Sequence, residues 1–192
     1  MKKYFVRREM IAATYLFRMA NVSKGLALSA TEEWEVTHHC VSGMLFVTFA
    51  IEAMINHFGA EKIEGWNSHQ NDRKSMHREV FKAYGMKGYL GGKNYQAIEA
   101  CFKLRDSIVH GKTVNEEFEV NVPFDMSDSS LVSHILSIPS DAVKSIDLKK
   151  LILWIDVAKK IQDDFYSSIG DDASISQSLP LDVTGISSWH RI

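Results

Sequence analysis

Apolar residues at Tyr95, Ile98, Cys101, Phe102, Ile108 and Val109 fall on one face at the i, i+3, i+4, i+7 spacing of a helix. The pattern predicts a helix over about 93–110, capped at its end by Gly111. A second helix is expected over about 31–58: Thr31 supplies a cap, Glu32 and Glu33 favour the positive end of the dipole, and Gly59 stops it. The same reading places a first helix over 3–20, a loop over 21–29 and a helix over 71–84 ending at Gly85. Gly88, Gly91 and Gly92 mark a turn before residue 93. After residue 111 the period changes. Phe118, Val120, Val122 and Phe124 alternate with Glu117, Glu119, Asn121 and Pro123, which predicts a strand. Residues 131–138 are its expected partner in a small β-hairpin at about 116–138. A long helix over 142–169 follows, with Leu148, Leu151, Ile152, Ile155, Ala158, Ile161 and Phe165 on its apolar face and Gly170 at its end. Residues 170–192 have no period and are rich in Ser and Asp, so an irregular tail is expected after a mainly all-α domain over 1–169.

One position interrupts the stripe of the 93–110 helix. Where an apolar residue should stand between Phe102 and Ile108, the chain has Arg105. A guanidinium on an inward face needs a partner, because burial strips its hydration. The helix over 31–58 has a matching irregularity: Thr48, Glu52 and Asn56 form an i, i+4, i+8 polar stripe among apolar neighbours. Glu52 is the natural partner for Arg105, and the plain alternative is a stripe facing solvent or a loop backbone. His110 follows Arg105 at the helix end, where the dipole favours an imidazolium. Asp106 lies one turn before His110, placed either to orient the imidazole or to make an ordinary surface pair.

Arg105 offers planar donors that match phosphate oxygens, and His110 titrates where a general acid or base must. Five residues at about 100° each leave the two roughly 140° apart around an ideal helix. One chain therefore does not present both on one face. Together such groups make a plausible site for phosphate chemistry, in which a base, an acid and positive charge must meet at one phosphorus. The competing reading is structural: Arg105 packs against a core carboxylate and His110 merely ends a helix.

Composition narrows the choice. Lys+Arg 22 against Asp+Glu 24 leaves no global basic field, so any nucleic-acid contact must come from a local patch. His69 and His77 among Arg73, Lys74 and Arg78 are one candidate for such an RNA-facing surface. Cys40 and Cys101 both sit in apolar helical patterns and read as reduced core residues, with a disulfide as the weaker alternative, which suits a cytoplasmic chain. No ligand set, glycine-rich phosphate loop or nucleophile elbow stands out, so neither metal nor cofactor is expected. The most apolar run, 41–55, carries Ser42, Thr48 and Glu52 and is too short and polar for a membrane span.

Arg105-x4-His110, with polar Asp106 after the Arg and Gly111 after the His, resembles the signature of the HEPN superfamily (higher eukaryotes and prokaryotes nucleotide-binding domain). Residues 49–56, with Glu52 and Asn56, are similar to that family's second core helix. The resemblance covers roughly residues 30–169 as architecture and only these two segments as motif. It implies a HEPN-like helical bundle, with the predicted hairpin as an insertion. Many members are metal-independent ribonucleases of toxin or defence type, and others are non-catalytic modules that bind nucleotide, RNA or a protein partner. It implies Arg105 and His110 as the catalytic pair, composed across a two-fold homodimer on single-stranded RNA, with Asp106, Glu52 and Asn56 in support. An antitoxin or effector partner would accompany a toxin. Where an extended form of the signature carries a Tyr two residues after the His, this chain has Lys112, a candidate phosphate contact instead.

Overall fold

The computed structural model describes residues 4–7, 12–67, 72–109, 119–137, 143, 145–169 and 188–191. Its architecture is mainly helical. α1 (Ala12–Ser29) and α2 (Glu33–Lys62) form an antiparallel pair joined by a short turn, and α6 (Leu148–Ile169) packs against both. α3 (Arg73–Ala83) and α4 (Lys93–Val109) lie on α2, linked through a 3-10 turn at Tyr89–Gly91. α5 (Asp128–Ser137) precedes α6. Strands β1 (Tyr4–Arg7) and β2 (Ser188–Arg191) pair antiparallel, bringing the two ends of the chain together.

α4 follows its stripe. Tyr95, Ile98, Cys101 and Phe102 are buried with Arg105 in register behind them, whereas Val109 is exposed. α6 buries Leu151, Ile155, Ala158, Ile161 and Phe165 as its period requires, and adds Trp154 and Val157. Asp147 caps its start, its Oδ1 accepting from the Lys150 amide at 2.7 Å, so the helix begins at 148 rather than 142.

Four further expectations need correction. No hairpin is seen among the described residues: 119–127 contain no strand, and 128–137 are helical. Ser127 Oγ accepts from the Ser130 amide at 3.3 Å, which starts a helix at the point where the hairpin was expected to turn. The first helix occupies 12–29 instead of 3–20, with β1 before it. The expected loop over 21–29 stays helical because Ser23 and Ala27 face the core. At that crossing, a Cβ on Gly43 would come within 2.8 Å of Leu151, so α2 and α6 touch where a side chain is missing. Lastly, α2 runs past Gly59 to Lys62, and Thr31 does not cap it. The N-cap is Glu32, which makes no side-chain cap bond. Gly59 is a packing position: a Cβ there would lie 2.5 Å from the Trp66 ring.

α2 is long and apolar enough to cross a membrane by length and composition, yet half of its most apolar window is buried within the bundle. Cys40, Met44, Val47, Ile51, Met54, Ile55 and Phe58 line the core from it. Cys40 and Cys101 are free, buried thiols, both pushed up by burial. The centre of the bundle is aromatic. Phe165 stacks on Phe58 and Phe81, with ring centroids 4.5 and 5.1 Å apart, and Tyr84 closes edge-on against Phe58 and Phe165.

Candidate functional site

Three helices deliver four charged side chains to one place. α2 contributes Glu52, α3 contributes Arg73, and α4 contributes Arg105 and Asp106. The inward phase of Arg105 follows from the α4 stripe, and its side chain is only 10% exposed. Its Nη2 donates to Glu52 Oε1. Its Nε lies 3.3 Å from Asp106 Oδ1 but is not aligned for a hydrogen bond, and it is a buried donor without a hydrogen-bond partner. The expected Arg105–Glu52 partnership is therefore present. Glu52 is half-buried, with a side chain 32% exposed. Thr48, one turn earlier, is fully buried and donates to the Leu45 carbonyl at 2.8 Å, and Asn56, one turn later, is half-buried.

Arg73 is the member that sequence reasoning missed as a site residue. Its Nη1 and Nη2 each donate to one oxygen of Asp106 at 3.0 Å, a bidentate fork, and its Nε lies 3.5 Å from Glu52 Oε1. Its guanidinium sits 4.4 Å over the Phe102 ring. Arg105 stands 5.7 Å from the same ring and 5.9 Å from that of Phe49, so apolar rings floor the cluster. A signal was available: Arg73 stands one turn before His77 and two before Phe81, on the buried face of α3.

Of the candidate basic surface on this segment, three groups are already engaged or buried. Arg73 turns into the cluster, Lys74 pairs with Glu99 at 3.1 Å, and His77 is 1% exposed. Burial, and then the Arg73 charge, push the His77 imidazole down to about 4, so it is neutral near pH 7. The Tyr95 hydroxyl, 2.9 Å from His77 Nδ1, is pushed up to about 12 by burial and stays a donor. Arg78 remains exposed, and His69 lies outside the described residues.

His110, Gly111 and Lys112 also lie outside the described residues, so of the expected pair only Arg105 is placed. Asp106, expected to orient His110, is engaged by Arg73. Among the described residues no three His, Cys, Asp or Glu side chains cluster as a metal site. In charge the arrangement is balanced, two guanidiniums against two carboxylates. An incoming phosphate finds two donor forks prearranged over apolar rings, and it must displace a carboxylate to reach either. No family model matches the chain, and no match is found among curated proteins or solved structures.

Proposed function

We propose that the chain is a HEPN-like, metal-independent endoribonuclease of toxin or defence type, acting as a cytoplasmic homodimer on single-stranded RNA. The observation that carries this reading is Arg105. It is a nearly buried guanidinium near the exit of α4, held by Glu52, with its Nε lacking a hydrogen bond and His110 five residues on. Burying a charge costs stability that an apolar residue in the same stripe would not, so a ligand-binding role accounts for its presence. In the reaction, Arg105 binds the scissile phosphate and stabilises the phosphorane, while His110 transfers protons. Glu52 holds the guanidinium before substrate arrives. A two-fold dimer supplies the second copy of each group that the angular separation on one helix requires.

The second reading is a non-catalytic module of the same fold, binding nucleotide, RNA or a protein partner. The internal neutralisation of the cluster favours it, because Arg73 and Arg105 already have carboxylate partners.

Purified protein is incubated with single-stranded RNA in chelator. Cleavage leaving a 2′,3′-cyclic phosphate is expected, abolished by His110→Ala and by a 2′-deoxynucleotide at the scission site. Arg105→Ala is expected to be inactive as well. Binding of RNA or nucleotide without cleavage would select the non-catalytic module, and activity that needs divalent metal would refute the Arg–His mechanism.

A further inference from the structure

Arg73 has no part in the reaction proposed above, yet its guanidinium shares a floor with that of Arg105: both stand over the Phe102 ring, at 4.4 and 5.7 Å. The two cations converge on one carboxylate. Arg73 Nη1 and Nη2 take both oxygens of Asp106 at 3.0 Å, and Arg105 Nε lies 3.3 Å from Oδ1. The lone pairs of a carboxylate lie in its plane, and the Arg73 fork already meets both oxygens. One donor is left over. Arg105 Nε is buried, in a side chain only 10% exposed, and has no hydrogen-bond partner among the described residues. Three converging donors and a planar acceptor do not match. The oxygens of a tetrahedral phosphate also accept from outside the plane of any two, so an oxygen that meets the fork can meet Nε as well.

Asp106 is also the carboxylate that can leave. Glu52 holds Arg105, so its departure would strand a nearly buried charge. Asp106 and Arg73 have side chains 36% and 31% exposed, so water reaches both and their pairing is weak. The contact with Phe102 keeps the Arg73 guanidinium in place when the carboxylate goes. A phosphodiester carries one negative charge, as the carboxylate does, so the exchange leaves two cations facing two anions.

We infer that Arg73 is a second phosphate-binding arm beside Arg105, and that Asp106 is a resident stand-in for the RNA phosphodiester, displaced when substrate enters. This rests on the reading of Arg105 as the phosphate ligand and adds a restraint to it. Asp106 competes with substrate instead of orienting His110. The charge balance of the cluster is then a property of its resting state.

Fluorescence anisotropy with a labelled single-stranded oligonucleotide of 2′-deoxynucleotides, which this mechanism cannot cut, tests the inference. Asp106→Ala should bind about tenfold tighter than wild type, the worth of one charge-assisted hydrogen bond. Asp106→Asn, of the same shape, should shift in the same direction. Arg73→Gln should weaken binding, and in Arg73→Gln/Asp106→Ala the gain should vanish. Glu79→Gln removes a charge from the exposed face of α3 and should leave affinity within about twofold, because an isolated surface charge is screened. A methylphosphonate-linked oligonucleotide, which has the same bases without the charge, should show no gain in Asp106→Ala. Circular dichroism verifies that each variant is folded. No binding by wild type and Asp106→Ala, no tightening in either Asp106 variant, an equal gain in Glu79→Gln, or a gain that survives without Arg73 overturns the inference. Cleavage is assayed separately on RNA. Tightening without any cleavage would remove the ribonuclease reading and leave this seat standing, and cleavage without tightening would do the reverse.

Discussion

The aromatic centre and the charged cluster lie in the same small bundle and share α2, α3 and α4, yet they are built on opposite principles. Around Phe165, rings stack on rings, and His77, joined to them through Tyr95, is held neutral. Around Arg105, two cations and two anions hold one another over Phe102 and Phe49. The first region stabilises by removing apolar area from water. The second gains little net stability, because attraction among its charges is spent against desolvation. A fold that needed only a closed core would continue the first arrangement to the end of α4. On the proposed reading, the charged end is where stability is exchanged for binding.

Truncating the aromatic centre should give the largest effect. Phe165→Ala removes a fully buried ring that touches α2 and α3, and should cost about 3–5 kcal/mol by denaturant unfolding. A loss below that of any single change in the charged cluster would reverse the comparison.

The next effect concerns pH. His77 has a folded pKa of about 4, below the unperturbed value of 6.5, so on acidification the unfolded chain takes up the proton first. Its contribution is fully present above about 6.5 and is lost as pH falls toward 4, reaching about 3 kcal/mol of lost stability. Unfolding measured across this window should show a slope that His77→Gln flattens. An unchanged slope would mean that the imidazole is not sealed within the aromatic centre.

Glu52→Ala should cost less than removal of a fully buried partner, about 1–3 kcal/mol, because the Glu52 side chain is 32% exposed and Asp106 remains near Arg105. A mutant as stable as wild type would show that Arg105 does not depend on it.

The smallest effect is expected between Arg73 and Asp106. A double-mutant cycle to Ala should give about 1 kcal/mol of coupling, reduced by salt, because both side chains are about one-third exposed. Coupling several times larger and insensitive to salt would make the charged end a structural core in its own right.

The parts legible in the sequence are those written in a helical period. The α4 stripe pointed Arg105 inward, and the polar stripe on α2 identified Glu52 as its partner. Arg73 was hidden because α3 is polar, and only three of its residues, His77, Val80 and Phe81, are buried. A face that narrow does not declare an arginine part of it. The hairpin differs for a related reason: alternation at Val120, Val122 and Phe124 has the period of a strand but no pairing partner among the described residues, and Phe124 is fully exposed. Cap chemistry at Ser127, not β-propensity, decides the next segment. α1 continued through Gly25 because burial of Ser23 and Ala27 outweighs local turn preference.

Gly59 shows how far a missing side chain can act. The Trp66 ring occupies the space where a methyl on Gly59 would stand. This seat fixes the direction in which the chain leaves α2 and turns at Gly65. A side chain at position 59 would evict the indole, so the end of α2 is a keyed joint whose key is an absent methyl group.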